Sequence, residues 1–196
     1  GVSGINGVEW DAVELPSQFM ENFVWEYDVL AQMSSHEETG AVLPKELFDK
    51  MHAAKNFQRG MFLVRQMEFA LFDMEIYHQE DEGRLKEWPQ ILDKVRQEVA
   101  VTQPPAYNRF ALSFSHIFAG GYSAGYYSYA WAEVLSADAY AAFEESDDVA
   151  ETGRRFWKEI LAVGGSRSAA ESFKAFRGRE PSLDALLRHS GFDNAA

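Results

Sequence analysis

Phenol side chains are concentrated in one short segment that follows a histidine and two glycines. Residues 120–129 read Gly-Gly-Tyr-Ser-Ala-Gly-Tyr-Tyr-Ser-Tyr, and His116 lies four residues before them. In a helix, Tyr122, Tyr126 and Tyr129 would share one face. Phenol and imidazole groups beside a glycine hinge can donate hydrogen bonds to a carbonyl oxygen that becomes an oxyanion. Because aromatic side chains mostly serve packing, an aromatic core stripe is an equally good interpretation of these residues alone.

Two glutamates lie near a predicted helix start. Glu14 precedes Pro16, which suits the first turn of a helix, and Glu21 follows Glu14 by one heptad. The two carboxylates would therefore project from the same side of that helix. Glutamate at a helix N-terminus is also ordinary, because the helix dipole favours negative charge there. The spacing by itself favours this ordinary role over a functional one.

The sequence contains no complete histidine zinc motif. His36-Glu37 matches the start of H-E-x-x-H, but the fifth residue is Gly40, so no second histidine is presented. We therefore expect His36 to be a surface residue. Three further histidines are isolated on helical segments and are expected to be solvated or to have structural partners: His52, His78 and His189.

Two arginines flank a glycine in residues 176–181, which read Phe-Arg-Gly-Arg-Glu-Pro. Arginine can form a bidentate pair with the carboxylate of a ligand. The alternative is an internal network of arginine and glutamate that fixes the last helix. We favour the internal network.

Composition limits the class of protein. The chain has 196 residues, 46% of them hydrophobic, which is enough for a sizeable core. A formal charge of -13 argues against nucleic-acid binding, and no apolar run approaches the roughly 20 residues of a membrane helix. The absence of cysteine excludes thiolate metal sites. It also fits the cytoplasmic location that we predict, although exported bacterial proteins often lack cysteine too.

Helical periodicity dominates the chain, so we predict an all-α fold with at most a minor strand near residues 8–10. Residues 1–196 are expected to form a single helical fragment. The segment 58–79 is apolar almost all round, which is typical of a buried helix. A weaker helix over 83–100 is interrupted by Pro89. The remaining predicted helices cover residues 16–33, 47–51, 123–145, 151–163, 168–176 and 182–189.

Three segments in this order resemble the thimet oligopeptidase family of zinc metallopeptidases, most closely its oligopeptidase A branch and related organellar enzymes: residues 10–22, 114–131 and 176–181. The resemblance implies that Glu14 is the third zinc ligand and that Glu21 orients a zinc-binding histidine. It also implies that the glycine and tyrosine segment binds substrate and stabilises the tetrahedral intermediate. The residues implied in that role are Gly120, Gly121 and Tyr122 for binding, and His116, Tyr126 and Tyr129 for catalysis, with Tyr126 the first choice of oxyanion donor.

The sequence departs from the family pattern in one respect. The H-E-x-x-H segment, which in relatives lies shortly before the point where this chain begins, is absent, and the chain has no initiator Met or signal-peptide pattern. Catalytic zinc normally takes three protein ligands. We therefore expect an excised or processed C-terminal piece of the catalytic domain that is inactive alone. Its partner would be the rest of a zinc endopeptidase acting on short peptides. The alternatives are a non-catalytic helical module that binds peptides, and a parent that is a dipeptidyl carboxypeptidase.

Overall fold

The computed structural model describes residues 4–78 and 84–192, and every regular element in these ranges is helical. This confirms the all-α prediction, and the described residues contain no strand near the start. In chain order the α-helices are α1 (Leu15–Glu21), α2 (Tyr27–Met33), α3 (Lys45–Ala53), α4 (Arg59–Tyr77), α5 (Trp88–Val99), α6 (Phe110–Ser113), α7 (Ser115–Phe118), α8 (Ser128–Glu144), α9 (Val149–Phe156), α10 (Ala169–Arg177) and α11 (Asp184–His189). Short 3-10 helices at Trp10–Ala12, Asn22–Trp25, Arg84–Glu87 and Gly164–Ser166 and a π-helical turn at Trp157–Leu161 complete the structure. None of the described helices is long and apolar enough to cross a bilayer.

The chain divides into two compact units. The first comprises residues 1–57 and 131–196, and the second comprises residues 58–130, so that the boundary falls within α8. Aromatic side chains from α1, α8, α9 and α10 form the core of the first unit. Phe19 stacks on Phe156 with ring centroids 4.0 Å apart. Such contacts bury large apolar surfaces, which is the main source of stability in a helical unit of this size.

The helix predicted over residues 16–33 is in fact two α-helices. Asn22 donates from Nδ2 to the carbonyl oxygens of Phe19 at 3.0 Å and Gln18 at 3.3 Å, which satisfies acceptors at the end of α1. Glu26 then adopts an extended conformation with φ -95° and ψ 117° before α2 begins. The apolar spacing continued across this break, so periodicity alone did not reveal it.

The core of the second unit is built from α4, α5, α6 and α7. Phe72 and Ile76 of α4 are buried with Ile91 of α5 and Ile117 of α7. We had predicted that Pro89 interrupts this helix, and that prediction is wrong. Pro89 lies in the first turn of α5, where its missing N–H has no partner to lose. Residue 83 of the predicted helix lies outside the described residues.

We had predicted that the helix over residues 58–79 is buried, but one face of α4 is exposed. Its buried side chains include two carboxylates, Glu68 and Asp73, whereas Met67, Leu71 and Met74 are exposed. The three exposed residues are spaced by four and three and therefore lie on one face. Polar partners made burial of the carboxylates possible, as the ion pairs of Glu68 with Arg65 and Arg96 show. Hydrophobicity alone was therefore a poor guide to which face of α4 is buried.

Candidate active site

Four of the predicted site residues come together in the second unit. The His116 ring lies among three phenol rings, at centroid distances of 6.0 Å from Tyr122, 5.8 Å from Tyr126 and 6.0 Å from Tyr129. The Tyr129 ring lies 5.2 Å from both Tyr122 and Tyr126. Tyr122 is buried, whereas His116 is exposed. The cluster therefore combines several hydrogen-bond donors with an imidazole that is open to solvent.

Two glycines shape the turn between His116 and the tyrosines. A Cβ on Gly120 would lie 2.9 Å from His116 Cα and 3.0 Å from the His116 carbonyl oxygen, which is too close for any side chain. Gly121 has φ +85°, a left-handed conformation that favours glycine. The Tyr122 N–H then donates to the His116 carbonyl oxygen at 2.9 Å. The chain therefore folds back sharply enough to bring Tyr122 against the histidine ring.

The tyrosines are not presented on a regular helix. We predicted that helix to begin near residue 123, but α8 begins at Ser128, so Tyr122 and Tyr126 lie in the preceding turns. Ala124 has φ +53°, which no α-helix contains. The phenol rings of Tyr122, Tyr126 and Tyr129 are nevertheless in contact. The turns bring these rings together, as we had expected a helix to do.

A buried aspartate that the sequence analysis overlooked holds these turns. Asp73 of α4 is 0% exposed. Its Oδ1 accepts the Ala124 N–H at 2.8 Å, and its Oδ2 accepts the Tyr126 N–H at 2.9 Å. Burial raises the pKa of Asp73, while the N–H groups of Tyr126, Ala124 and Gly125 oppose that rise. Asp73 directly follows the buried Phe72, but Glu68 and Glu75 are carboxylates of the same segment, so local spacing did not single out Asp73.

The Tyr126 hydroxyl has one defined partner in the second unit. It donates to Oε1 of Gln66 on α4 at 2.9 Å. Burial, and to a lesser extent the neighbouring Tyr129, raises the pKa of Tyr126 above its ordinary value of 10. The phenol therefore keeps its proton, and so its capacity to donate, throughout the neutral range. Gln66 also escaped the sequence analysis, since nothing in its local spacing distinguishes it.

The two glutamates proposed for metal chemistry belong to the first unit. Glu14 is the residue that flanks the N-terminus of α1, and its half-buried carboxylate accepts a hydrogen bond from the Ser17 hydroxyl. Glu21 is the last residue of α1 and is exposed. Gln18, one turn after Glu14, carries a buried Oε1 with no hydrogen-bond partner among the described residues. This part of α1 therefore presents a carboxylate and an unsatisfied acceptor.

The described residues do not by themselves fit a catalytic zinc ion. Across residues 4–78 and 84–192, no group of three or more His, Cys, Asp or Glu side chains is arranged to hold a metal. Catalytic zinc normally takes three protein ligands and keeps one open position. Glu14 alone does not meet that requirement. Its assignment as a ligand stays a prediction, as does the orienting role of Glu21.

The arginines of residues 176–181 form an internal network in the first unit, as we had favoured. Arg177 donates to Asp138 at 3.0 Å and makes a bidentate pair with Glu145 at 2.9 and 3.0 Å. Arg179 donates to both oxygens of Asp138 at 2.7 Å.

Two of the isolated histidines can be compared with their predictions. His36 is exposed, as predicted, and His189 contacts Glu144 at 2.9 Å. Arg177, Arg179 and His189 are therefore engaged in structural contacts.

Comparison with known proteins gives consistent matches along almost the whole chain. The sequence model of peptidase family M3 matches residues 1–192. Oligopeptidase A of Salmonella typhimurium is 56% identical over 192 residues, which cover 97% of this chain and 28% of that protein. Organellar oligopeptidase A, chloroplastic/mitochondrial, of Arabidopsis thaliana is 50% identical over 195 residues, covering 97% and 25%. Dipeptidyl carboxypeptidase of Escherichia coli is 33% identical over 189 residues, covering 93% and 27%.

The chain thus spans about a quarter of the length of the curated relatives it matches. The family match nevertheless includes both the Glu14 segment and the tyrosine segment. This extent confirms the resemblance that the three sequence segments indicated. The chain belongs to peptidase family M3.

Proposed function

We propose that the protein containing this chain is a zinc-dependent oligopeptidase that hydrolyses short peptides, and that the tyrosine cluster stabilises the oxyanion of the reaction. The observation that carries this proposal is the convergence of His116 with Tyr122, Tyr126 and Tyr129 behind a glycine-enforced turn. The glycines, Gly120 and Gly121, would let the main chain approach a bound peptide. The family match supports the reaction class.

Tyr126 is the oxyanion donor that the geometry favours. Its hydroxyl is neutral at physiological pH and donates to the Gln66 amide oxygen. An oxyanion is a stronger acceptor than a neutral amide oxygen, because hydrogen bonds to charged acceptors are roughly twice as strong. Charge that develops on a peptide carbonyl oxygen would therefore draw the Tyr126 hydroxyl away from Gln66. The interaction would be stronger in the transition state than in the ground state, as catalysis requires. Tyr129 is the second choice.

Glu14 is proposed as one zinc ligand, with the other ligands and the general base supplied by residues outside this chain. The family implies zinc, whose chemistry is the activation of water for attack on the scissile carbonyl. Gln18 gives independent support for a missing neighbour, since its buried Oε1 lacks a donor among the described residues. A buried acceptor left unsatisfied is costly, so we expect another segment to supply one. Glu21 would orient a zinc-binding histidine.

The exposed face of α4 supports association with the rest of the protein. Met67, Leu71 and Met74 are 41%, 39% and 43% exposed and lie on one helix face. Contiguous exposed apolar side chains typically mark contact surfaces. Because the chain spans 28% of the length of its bacterial relative, the remaining polypeptide is the partner we propose. The cytoplasmic location suggested by the absence of cysteine is part of the same proposal.

The relatives favour oligopeptidase action over removal of C-terminal dipeptides. Identity is 56% to an oligopeptidase A but 33% to a dipeptidyl carboxypeptidase. Product mapping on a peptide with a blocked C-terminus separates the two activities. We expect internal cleavage, and exclusive loss of dipeptides from the free C-terminus of the unblocked peptide would contradict it.

The decisive experiment replaces Tyr126 by Phe in the full-length protein. Removing one oxyanion donor should lower kcat by about 100- to 1000-fold, with KM changed by less than about three-fold. Tyr140→Phe is the matched control, since the Tyr140 hydroxyl donates to Glu26 at 2.5 Å in the first unit. That variant should lose a hydrogen bond but retain kcat. An unchanged kcat in Tyr126→Phe would remove this residue from the oxyanion role.

The isolated chain is expected to lack peptidase activity because residues 4–78 and 84–192 do not contain a complete set of zinc ligands. Incubation with zinc and a quenched fluorescent peptide tests this directly. Cleavage that a chelator abolishes would show that the described residues, or those outside them, hold a catalytic metal after all.

A further inference from the structure

We propose that Asp73 is a positioning residue that fixes the turn carrying Tyr126 and thereby aims the Tyr126 hydroxyl. The inference rests on the proposed role of Tyr126 and adds a residue with no direct part in the chemistry. It is drawn from the contacts between α4 and residues 122–126 in the second unit. Neither Asp73 nor Gln66 belongs to a motif that the sequence analysis identified.

The backbone around Ala124 forms a concave anion site. With Ala124 at φ +53°, the N–H groups of Ala124 and Tyr126 point to the same place, and each donates to a different oxygen of Asp73. Successive N–H groups in such turns commonly bind a ligand anion. Here a side chain of the same unit supplies the anion. The carboxylate therefore takes the place of helical hydrogen bonds and keeps α8 from beginning before Ser128.

The charge of Asp73 is balanced by these N–H groups. Among the described residues, no Lys or Arg forms an ion pair with Asp73, although the side chain is 0% exposed. A buried carboxylate needs compensation, and hydrogen bonds from backbone N–H groups provide it. The turn and the carboxylate consequently depend on each other. Loss of the carboxylate would leave the Ala124 and Tyr126 N–H groups without their acceptor.

Helix α4 holds Tyr126 at two points. Asp73 accepts the Tyr126 main-chain N–H at 2.9 Å, and Gln66 accepts its hydroxyl at 2.9 Å. The two residues are seven positions apart, so they lie on the same face two turns from each other. The Asp73 contact fixes the main chain of Tyr126, and the Gln66 contact orients its hydroxyl until an oxyanion replaces Gln66 as the acceptor. A 19-residue helix thus serves as the rigid support for the oxyanion donor.

The test measures kcat and KM for Asp73→Asn in the full-length protein. The amide keeps the size of the carboxylate but presents an NH2 group to one of the two N–H donors, so the turn should relax. Since misplacement of a catalytic group by about 1 Å costs on the order of 100-fold, we expect kcat to fall by about 10- to 100-fold, with KM changed by less than about three-fold. Asp93→Asn, at an exposed position of α5, is the control for loss of one charge and should match wild type.

A double variant separates positioning from general stability. If Asp73 acts through Tyr126, then Asp73→Asn should lower kcat little further once Tyr126 is Phe. Fully additive losses, or an unchanged kcat in folded Asp73→Asn, would overturn the proposal. A purely structural role predicts additive losses, because each variant would then reduce activity independently.

Hydrogen exchange distinguishes failure of this proposal from failure of the oxyanion assignment. If Tyr126→Phe retains full kcat, the oxyanion role is wrong, and residue-resolved exchange then tests Asp73 alone. In the wild-type protein the Ala124 and Tyr126 amides should exchange much more slowly than exposed amides do, and Asp73→Asn should accelerate them without affecting α5. Rapid exchange of both amides in wild type would overturn the proposal even if the Asn variant failed to fold.

Discussion

Two aspartates with 0% exposure perform opposite tasks in the two units. Asp138 in the first unit binds the guanidinium groups of Arg177 and Arg179 and accepts the Ser182 N–H at 2.8 Å. Asp73 in the second unit accepts main-chain N–H groups of a turn. Burial alone would raise the pKa of both aspartates. At Asp138 the hydrogen bonds and positive charges outweigh burial and lower the pKa, whereas at Asp73 burial prevails.

The difference shows why equal burial does not mean an equal role. Asp138 ties Arg177 at the end of α10 to Arg179 and Ser182 in the following loop, so it stabilises the tertiary structure. Asp73 determines the shape of a turn whose side chains are candidates for catalysis. Substitution of Asp138 should therefore act chiefly on stability, and substitution of Asp73 chiefly on activity.

The largest effect on stability is expected for Asp138→Asn. The variant leaves Arg177, whose side chain is 7% exposed, without full charge compensation. Breaking a buried ion pair in this way costs about 3–5 kcal/mol of the free energy of unfolding. Urea denaturation of the chain measures the loss, with Asp93→Asn as the exposed control. A loss below about 1 kcal/mol would show that the Arg177–Glu145 pair holds the arginine without Asp138.

Gly120→Ala should destabilise the second unit, whereas Gly153→Ala should stabilise the first. The added Cβ at Gly120 would meet His116 main-chain atoms, and such overpacking costs about 1–3 kcal/mol. At Gly153 in α9 the nearest atom is Phe143 Cε1 at an ordinary 3.9 Å. Alanine there should add about 0.5–1 kcal/mol, because glycine is a poor helix former. Thermal midpoints of the two variants should therefore move in opposite directions. A Gly120→Ala midpoint at or above wild type would mean that the turn is not closely packed.

Lowering the pH should change the contributions of the two aspartates to stability in opposite directions. The folded-state pKa of Asp138 lies below its ordinary value of 3.8, so its stabilisation is present above that pH and is lost as the pH falls through the folded pKa. For Asp73 the folded-state pKa is raised, so its contribution is greatest below 3.8 and declines as the pH rises through the folded pKa. Urea midpoints between about pH 2.5 and 6 should therefore depend less steeply on pH in Asp138→Asn and more steeply in Asp73→Asn. The same slope in both variants would contradict the assignment.

The smallest effect is expected for Lys174→Ala. Lys174 pairs with Glu180 at 3.2 Å, but both side chains are more than half exposed. Exposed ion pairs of this kind contribute less than about 1 kcal/mol. The variant should unfold at nearly the wild-type urea concentration. A loss comparable to that of Asp138→Asn would mean that the exposed pair, and not the buried network, stabilises this region.

The sequence was most informative where structure depends on near neighbours. Apolar spacing located α3, α4, α10 and α11 to within a few residues, and the motif around the tyrosines identified residues that do come together. It failed at Glu26, where Asn22 caps α1 and the apolar pattern runs on regardless. It failed again on α4, because burial of Glu68 depends on Arg96, which lies 28 residues away in sequence.

The sequence by itself determined the all-α class, most of the helical segments, the family and the identity of the candidate donors. These properties are encoded in side-chain periodicity and in motifs of a few residues. Only the tertiary structure decided that Tyr122 and Tyr126 lie in turns before α8, and that Asp73 holds those turns. The reason is physical: a carboxylate 51 residues away replaces the hydrogen bonds that local sequence would have placed in a helix. Local residue spacing does not predict a partner that is so distant in sequence.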